Sequence, residues 1–207
     1  MDRRTALKNL SLSIGFVVSA PTLMNMLSSC TASPVTWKPE FLNESEKNSV
    51  IHLVDIIMPS SDLPGALDVN VPQFLDIMFK NVETREKKNL FREGAASFAD
   101  KFESKFSKKM EKANKEEVNQ LFETYFKLSQ SEQKEVLQNQ YKKESEINSD
   151  ERENYLIYKF LFTVRYYSLY GYYSSEKVGE EVLSYDPIPG SYEPCVPLKD
   201  IGNAWSL

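Results

Sequence analysis

Apolar residues recur at helical spacing through most of this chain, and no credible run of alternating positions marks a strand. In LNESEKNSVIHLVDIIMP, Val50, Leu53, Val54 and Ile57 share one helical face. Asn43 or Ser45 is placed to cap that helix, with Glu44 and Glu46 near its positive end. Pro59 stops it. SSDLPGALDVNVPQF reads as a loop, and Pro72 suits the first turn of a second helix, PQFLDIMFKNV. From Glu83 to about Met110 a long charged helix carries the stripe Leu90, Phe91, Ala95, Phe98, Phe102 and Phe106. NKEEVNQLFETYFKL and SQSEQKEVLQNQY predict two more helices, the second opened by a serine cap. ESEINSDEREN is a polar break.

YLIYKFLFTVRYYSLYGYY is apolar or aromatic nearly all round, interrupted by Lys159, Thr163, Arg165 and Ser168 before Gly171. It is too short and too charged to span a bilayer. A helix of this kind is either central to a bundle or docked on a partner. A short helix follows around Ser175 to Leu183, and the Pro- and Gly-rich remainder should be irregular. The pattern predicts an all-α fold: an irregular helical bundle of about six or seven helices, with Pro/Gly-rich loops and an extended C-terminal tail.

The N-terminal thirty residues follow a different logic. Arg3, Arg4 and Lys8 precede an uncharged stretch from about Leu10 to Leu27, which ends in Leu27-Ser28-Ser29-Cys30. A positive start, a short apolar run and a small-residue site describe a secretory signal rather than a folded element. Ser, Gly, Thr and Asn residues and Pro21 interrupt the run, which is marginal for a membrane span. RRTALK resembles the twin-arginine export motif, although Asp2 and Ala6 depart from the usual residues; an ordinary Sec leader is the alternative. LSSC matches the bacterial lipobox, in which the cysteine receives a lipid and becomes the new N-terminus. These matches predict a signal peptide over residues 1–29, a lipidated Cys30, a Pro-containing tether over 30–41 and one helical domain over 42–207. They place the protein on the periplasmic side of a bacterial membrane, held by lipid.

Charge narrows the partners. The chain carries a net charge of −5. Removing residues 1–29 takes Lys+Arg from 25 to 22 and Asp+Glu from 30 to 29, so the net charge becomes −7. An acidic domain lacks the basic footprint that nucleic acid requires. With Cys30 lipidated, Cys195 is left without an internal partner. Its thiol either pairs with another chain in an oxidising compartment or lies buried as a small hydrophobe, and burial in a docked tail is the favoured expectation.

The search for catalytic chemistry returns little. His52 is the one histidine, and a lone histidine in an apolar helix is usually a core-edge residue, since zinc sites need three or four ligands. The sequence holds no C-x-x-C-H, no paired cysteines, no G-x-G-x-x-G after a strand and no G-x-S-x-G. Glu180, Glu181 and Asp186 form an acidic group that reads as solvated. The pattern therefore implies no catalytic residue, cofactor site or metal site in this chain.

Three stretches carry a more specific signal: IIMPSSDLPGALDVNVPQFLD (Ile56 to Asp76), GYYSSEKVG (Gly171 to Gly179) and YDPIPGSYEPCVPL (Tyr185 to Leu198). Together they resemble the gluconate 2-dehydrogenase subunit 3 family, the small subunits of membrane-bound gluconate 2-dehydrogenases. The resemblance implies a non-catalytic subunit. Its large partner would be an FAD-binding flavoprotein of the glucose–methanol–choline type that oxidises a sugar, sugar acid or alcohol. A multi-haem cytochrome c would pass electrons on where the complex has one. The small subunit would carry the export signal, escort the folded flavoprotein and stay bound to it. The lipobox departs from that pattern and suggests anchoring by lipid.

On this reading the partner-binding residues lie in the three stretches: Asp62, Pro64 and Gly65; Tyr172 and Tyr173; and Tyr185, Pro187, Pro189, Gly190 and Cys195. The tyrosines of the aromatic helix either pack the core with hydroxyls at its edge or face a partner, and aromatic content does not separate the two. Two other readings remain. One is a stand-alone periplasmic lipoprotein that binds a carbohydrate or polymer; the other is an enzyme using carboxylates of the C-terminal loop such as Asp186.

Overall fold

Helix-start signals dominate the observed architecture. In the computed structural model the described residues are 37–186, 188, 190 and 195–206. The chain divides into two units, residues 1–38 and 39–207, and the description that follows concerns the second. The export motif at Arg3 and Arg4 and the lipidation site at Cys30 lie outside the described residues.

The order is α1 (Glu44–Ile57), α2 (Val71–Asn81), α3 (Arg85–Phe106), α4 (Lys115–Phe126), α5 (Gln130–Gln140), α6 (Arg152–Tyr173), α7 (Glu176–Glu181) and α8 (Leu198–Ile201). Short 3-10 turns at Met110–Lys112 and Glu144–Glu146 lie between them. No strand occurs among the described residues; one isolated parallel bridge joins Ser184 to Trp205.

Reciprocal caps fix three helix starts. Asn43 and Glu46 cap α1, Asn114 and Glu117 cap α4, and Ser129 and Glu132 cap α5, each side chain accepting from the other's backbone N–H. Of the two candidates for the first cap, the structure uses Asn43. The third helix keeps its whole apolar stripe but ends at Phe106, short of the expected boundary at about Met110. Ser107 adopts a left-handed φ of 53° and stops α3 at Phe106, so Met110 enters the core from a separate turn.

Helix α6 is the central element of this unit, although Tyr166, Tyr170 and Tyr173 on it remain exposed. It packs against α1, α2, α3 and α5, most extensively against α3. The α3–α6 contact is close because position 94 is glycine: a Cβ there would lie 2.2 Å from the Leu156 carbonyl oxygen. A line of rings runs through the core, with Phe79–Phe91 centroids at 4.5 Å, Phe91–Phe160 at 5.1 Å and Phe98–Phe160 at 5.7 Å. His52 is half-buried at the core edge, its Nε2 3.1 Å from the Ala113 carbonyl oxygen.

The end of the expected tether is bound into the fold. Asp76, 1 % exposed, accepts the backbone N–H groups of Glu40 at 2.8 Å and of Phe41 and Leu42 at 2.9 Å. The Phe41 ring stacks on Phe79 with centroids 5.2 Å apart and lies under the Arg92 guanidinium at 4.5 Å. Hydrophobic spacing carries no sign of this clamp, because a lone aspartate on an amphipathic helix reads as a solvated residue.

Candidate functional site

The first of the three distinctive stretches forms a clamped loop between α1 and α2. Its backbone closes through Ala66 N–H to Met58 O at 2.9 Å and Val71 N–H to Ala66 O at 3.0 Å. One carboxylate oxygen of Asp68 accepts both the Ser60 hydroxyl at 2.5 Å and the Gly65 N–H at 2.7 Å. The Ser60 bond and then the Gly65 bond hold the Asp68 carboxyl below its ordinary range. Gly65 has no room for a side chain, since a Cβ would lie 2.5 Å from the Ser60 nitrogen.

The C-terminal end of α6 locks onto this loop. Tyr172 is buried and donates its hydroxyl to the Pro64 carbonyl oxygen at 2.8 Å. Gly171 lets Phe74 of α2 approach: a Cβ at 171 would sit 2.7 Å from the Phe74 ring. Gly65 and Tyr172, expected at an interface, are therefore internal, and Pro64 spends its carbonyl on Tyr172. Asp62, Leu63, Leu67, Asp68 and Tyr173 are among the residues this region shows to solvent.

The tyrosines of α6 split by helical phase. Tyr155, Tyr158, Tyr167 and Tyr172 are buried, whereas Tyr166, Tyr170 and Tyr173 are exposed by 61 %, 48 % and 55 %. Tyr166 and Tyr170 line an open groove of about 920 Å³ between α2, α3, α5 and α6, together with Val82, Leu137, Tyr141 and Phe162. Phe74 extends the aromatic face, its ring 5.5 Å from Tyr170. These side chains form an apolar, largely aromatic face open to solvent.

Charges at the groove are sparse. Burial pushes the Glu83 carboxyl up, but the Tyr167 hydroxyl and Lys87 outweigh it and leave its pKa lowered. Lys87 lies 2.9 Å from Glu83, and Tyr167 donates to Glu83 from within the core edge. Burial and the Glu83 contact raise the Tyr167 pKa. Burial lowers that of Lys159. Among the described residues no group of three or more His, Cys, Asp or Glu side chains is placed to hold a metal ion, and no helix is long and apolar enough to cross a membrane.

The described residues of the tail do not form a buried strap. The tail is tied at its base, where Ser184 N–H donates to Ala204 O at 2.8 Å and Ser206 N–H to Ser184 O at 3.0 Å. Between these ties Ile188, Leu198 and Trp205 are exposed, as are Tyr185 and Gly190. Cys195 is a free and exposed thiol, which corrects the expectation of burial: the tail is held by its base, leaving this part in solvent. Pro187 and Pro189 lie outside the described residues.

The clamped loop, the α6 terminus and the groove all fall within residues 44–190, which match the family model of gluconate 2-dehydrogenase subunit 3. The chain belongs to the gluconate 2-dehydrogenase subunit 3 family. No curated protein and no solved structure matches it. The match takes in the first two distinctive stretches and the start of the third, while Cys195 and Trp205 lie beyond it. As a subunit-3 protein the chain has an accessory place in a dehydrogenase assembly, with a dehydrogenase as the implied partner.

Sequence reasoning placed the distinctive loop and the Tyr172–Tyr173 pair but missed the groove. Its walls come from four helices distant in sequence. The residues that open it, Val82, Leu137 and Tyr141, look like ordinary stripe or boundary residues one helix at a time.

Proposed function

We propose that this chain is the non-catalytic small subunit of a membrane-associated, FAD-dependent sugar or sugar-acid dehydrogenase, and that it binds a flavoprotein of the glucose–methanol–choline type. Family membership over residues 44–190 is the observation that carries this reading. The exposed aromatic face of α6 supports it, because Tyr-rich apolar surface in an acidic, otherwise charged exterior suits stable protein contact. The FAD belongs to the partner. The RRTALK leader fits export with a partner already folded around its cofactor, and LSSC fits anchoring through Cys30 on the periplasmic side. A cytochrome c subunit completes the assembly where one is present.

The test is affinity purification of the chain in mild detergent from its native host, read by mass spectrometry and by absorbance at roughly 450 nm, where bound oxidised flavin absorbs. A large flavoprotein in equal amount supports the reading. A colourless, solitary chain overturns it and favours a stand-alone lipoprotein that takes a carbohydrate or polymer on the same aromatic face.

A further inference from the structure

Helix α5 is the least anchored long element of the fold. It spans 11 residues and buries none of them. A helix of that length is marginal alone in water and depends on tertiary packing. Its packing is against α6, and cavities border it on several sides. The aromatic groove is one; a cavity of about 260 Å³ lies against Val136, Asn139 and Gln140, and one of about 240 Å³ lies between Val136, Leu137 and Phe162.

Two side chains of α6 pin its C-terminal end. Lys159 Nζ donates to the Gln140 carbonyl oxygen at 2.7 Å, and the Tyr155 hydroxyl donates to Lys142 O at 3.1 Å. The pinned end is unfinished in two ways. Gln140 Oε1 is buried and has no hydrogen-bond partner among the described residues. A buried acceptor in that state is costly, and a donor brought to it would remove the cost. Lys159 is half-buried beside the groove, and no carboxylate lies within ion-pair distance of it among the described residues.

Charge points to the occupant. Glu83, the acid of the groove, is paired with Lys87 at 2.9 Å, so Lys159, held by the Gln140 carbonyl oxygen and 5.1 Å from the Tyr155 ring centroid, is a groove cation with no carboxylate partner among the described residues. The complement is therefore anionic as well as apolar. The groove is partly open to solvent and framed by helices, a setting that can take a chain segment.

We propose that α5 is the movable jaw of the groove, and that the groove takes a segment of the dehydrogenase partner carrying a carboxylate among apolar side chains. The apolar side chains lie on Leu137, Phe162, Tyr166 and Tyr170, and the carboxylate meets Lys159. The inference rests on the accessory-subunit reading and adds to it where the partner binds and which element moves.

Hydrogen exchange on the complex purified from the native host, set against the chain alone, tests it. Residues 130–141 should exchange at least about tenfold more slowly in the complex. Leu137→Asp and Tyr166→Ser should each weaken capture of the dehydrogenase at least about tenfold, as contacts at an interface centre do. Tyr166→Ser lies on the rigid α6, so it remains informative if Leu137→Asp unsettles α5. Lys159→Gln should reduce the salt dependence of binding. A complex that forms normally, with exchange at 130–141 unchanged and both variants binding as wild type, overturns the inference and leaves the accessory role standing. Protection of α5 that rises with concentration of the chain alone assigns the groove to a second copy and also overturns it. Absence of any dehydrogenase from the purified material overturns the accessory reading, and the inference falls with it.

Discussion

Tyr172 donates its hydroxyl to the carbonyl oxygen of Pro64, 2.8 Å away and 108 residues earlier in the chain. This bond joins two stretches that stand apart in the sequence, the loop after α1 and the end of α6. The loop is already closed on itself by Asp68, so the tyrosine docks a preformed unit. Tyr173, the next residue, is left facing solvent at the rim of that unit, with its ring edge-on to Tyr172 at 5.3 Å.

Tyr172→Phe keeps the ring and removes the donor. A net loss of about 1 kcal/mol is expected from urea unfolding, the usual worth of one such bond. Exchange of the Ala66 amide, which closes the loop on Met58, should quicken. An unchanged midpoint together with unchanged exchange would show that the loop holds without α6.

Gly94→Ala sets two effects against each other. Alanine favours a helix interior by about 1 kcal/mol over glycine. The added methyl would lie 2.2 Å from the Leu156 carbonyl oxygen, a backbone atom that moves only if α3 and α6 separate. Overlap wins, and destabilisation of about 3 kcal/mol or more is expected in thermal unfolding. A stabilised variant would mean that the two helices are not in backbone contact.

Asp76→Asn tests the clamp on residues 40–42. The carboxylate serves three backbone N–H groups, whereas an amide offers one acceptor oxygen and sets a donor against the remaining N–H. The cost should be about 3 kcal/mol, with faster exchange at Glu40, Phe41 and Leu42. Retention of wild-type stability would show that the stack of Phe41 on Phe79 holds the segment without the carboxylate.

These three cases mark what the sequence carried and what it did not. Helical spacing located the bundle and the serine cap of α5; Asn43 was one of two candidates for the first cap, and the Asn114 cap was not singled out, although a glutamate follows each of the three caps three residues later. The distinctive loop and Tyr172 stood out as residues, but their mutual bond did not, since local patterning holds no information about a partner 108 positions away. Burial separated Tyr172 from Tyr173 for the same reason: adjacent helical positions point about 100° apart, and the placement of the loop after α1, which Tyr172 meets at Pro64, is not written in the local pattern. The role of Asp76 was not legible, because burial of a carboxylate becomes sensible only once three N–H groups converge on it. The groove was invisible because its walls belong to four helices.

Cys195 is exposed, so its thiol should react in the native protein. In a chain carrying Cys30→Ser, one equivalent of a maleimide should add per molecule without denaturant. In the assembled complex under non-reducing conditions the same thiol is free to pair with another chain. Labelling that needs denaturant would place the thiol inside a docked tail.

Glu46 offers a pH test with a defined sign. Burial raises its pKa, and this outweighs the Asn43 N–H and Arg92, which both lower it. A carboxyl whose folded pKa lies above its unfolded value contributes no difference below the unfolded value. As pH rises, the unfolded chain releases its proton first, so the folded state loses stability until the folded pKa has been passed. Glu46→Gln should still cap α1, because glutamine serves the same reciprocal motif. The variant should therefore match wild type near about pH 4 and become the more stable of the two by about pH 7. Paired urea titrations across that range check this. A difference that stays constant with pH, or that favours the wild type at neutral pH, would mean that Arg92 and the cap outweigh the cost of burying the charge.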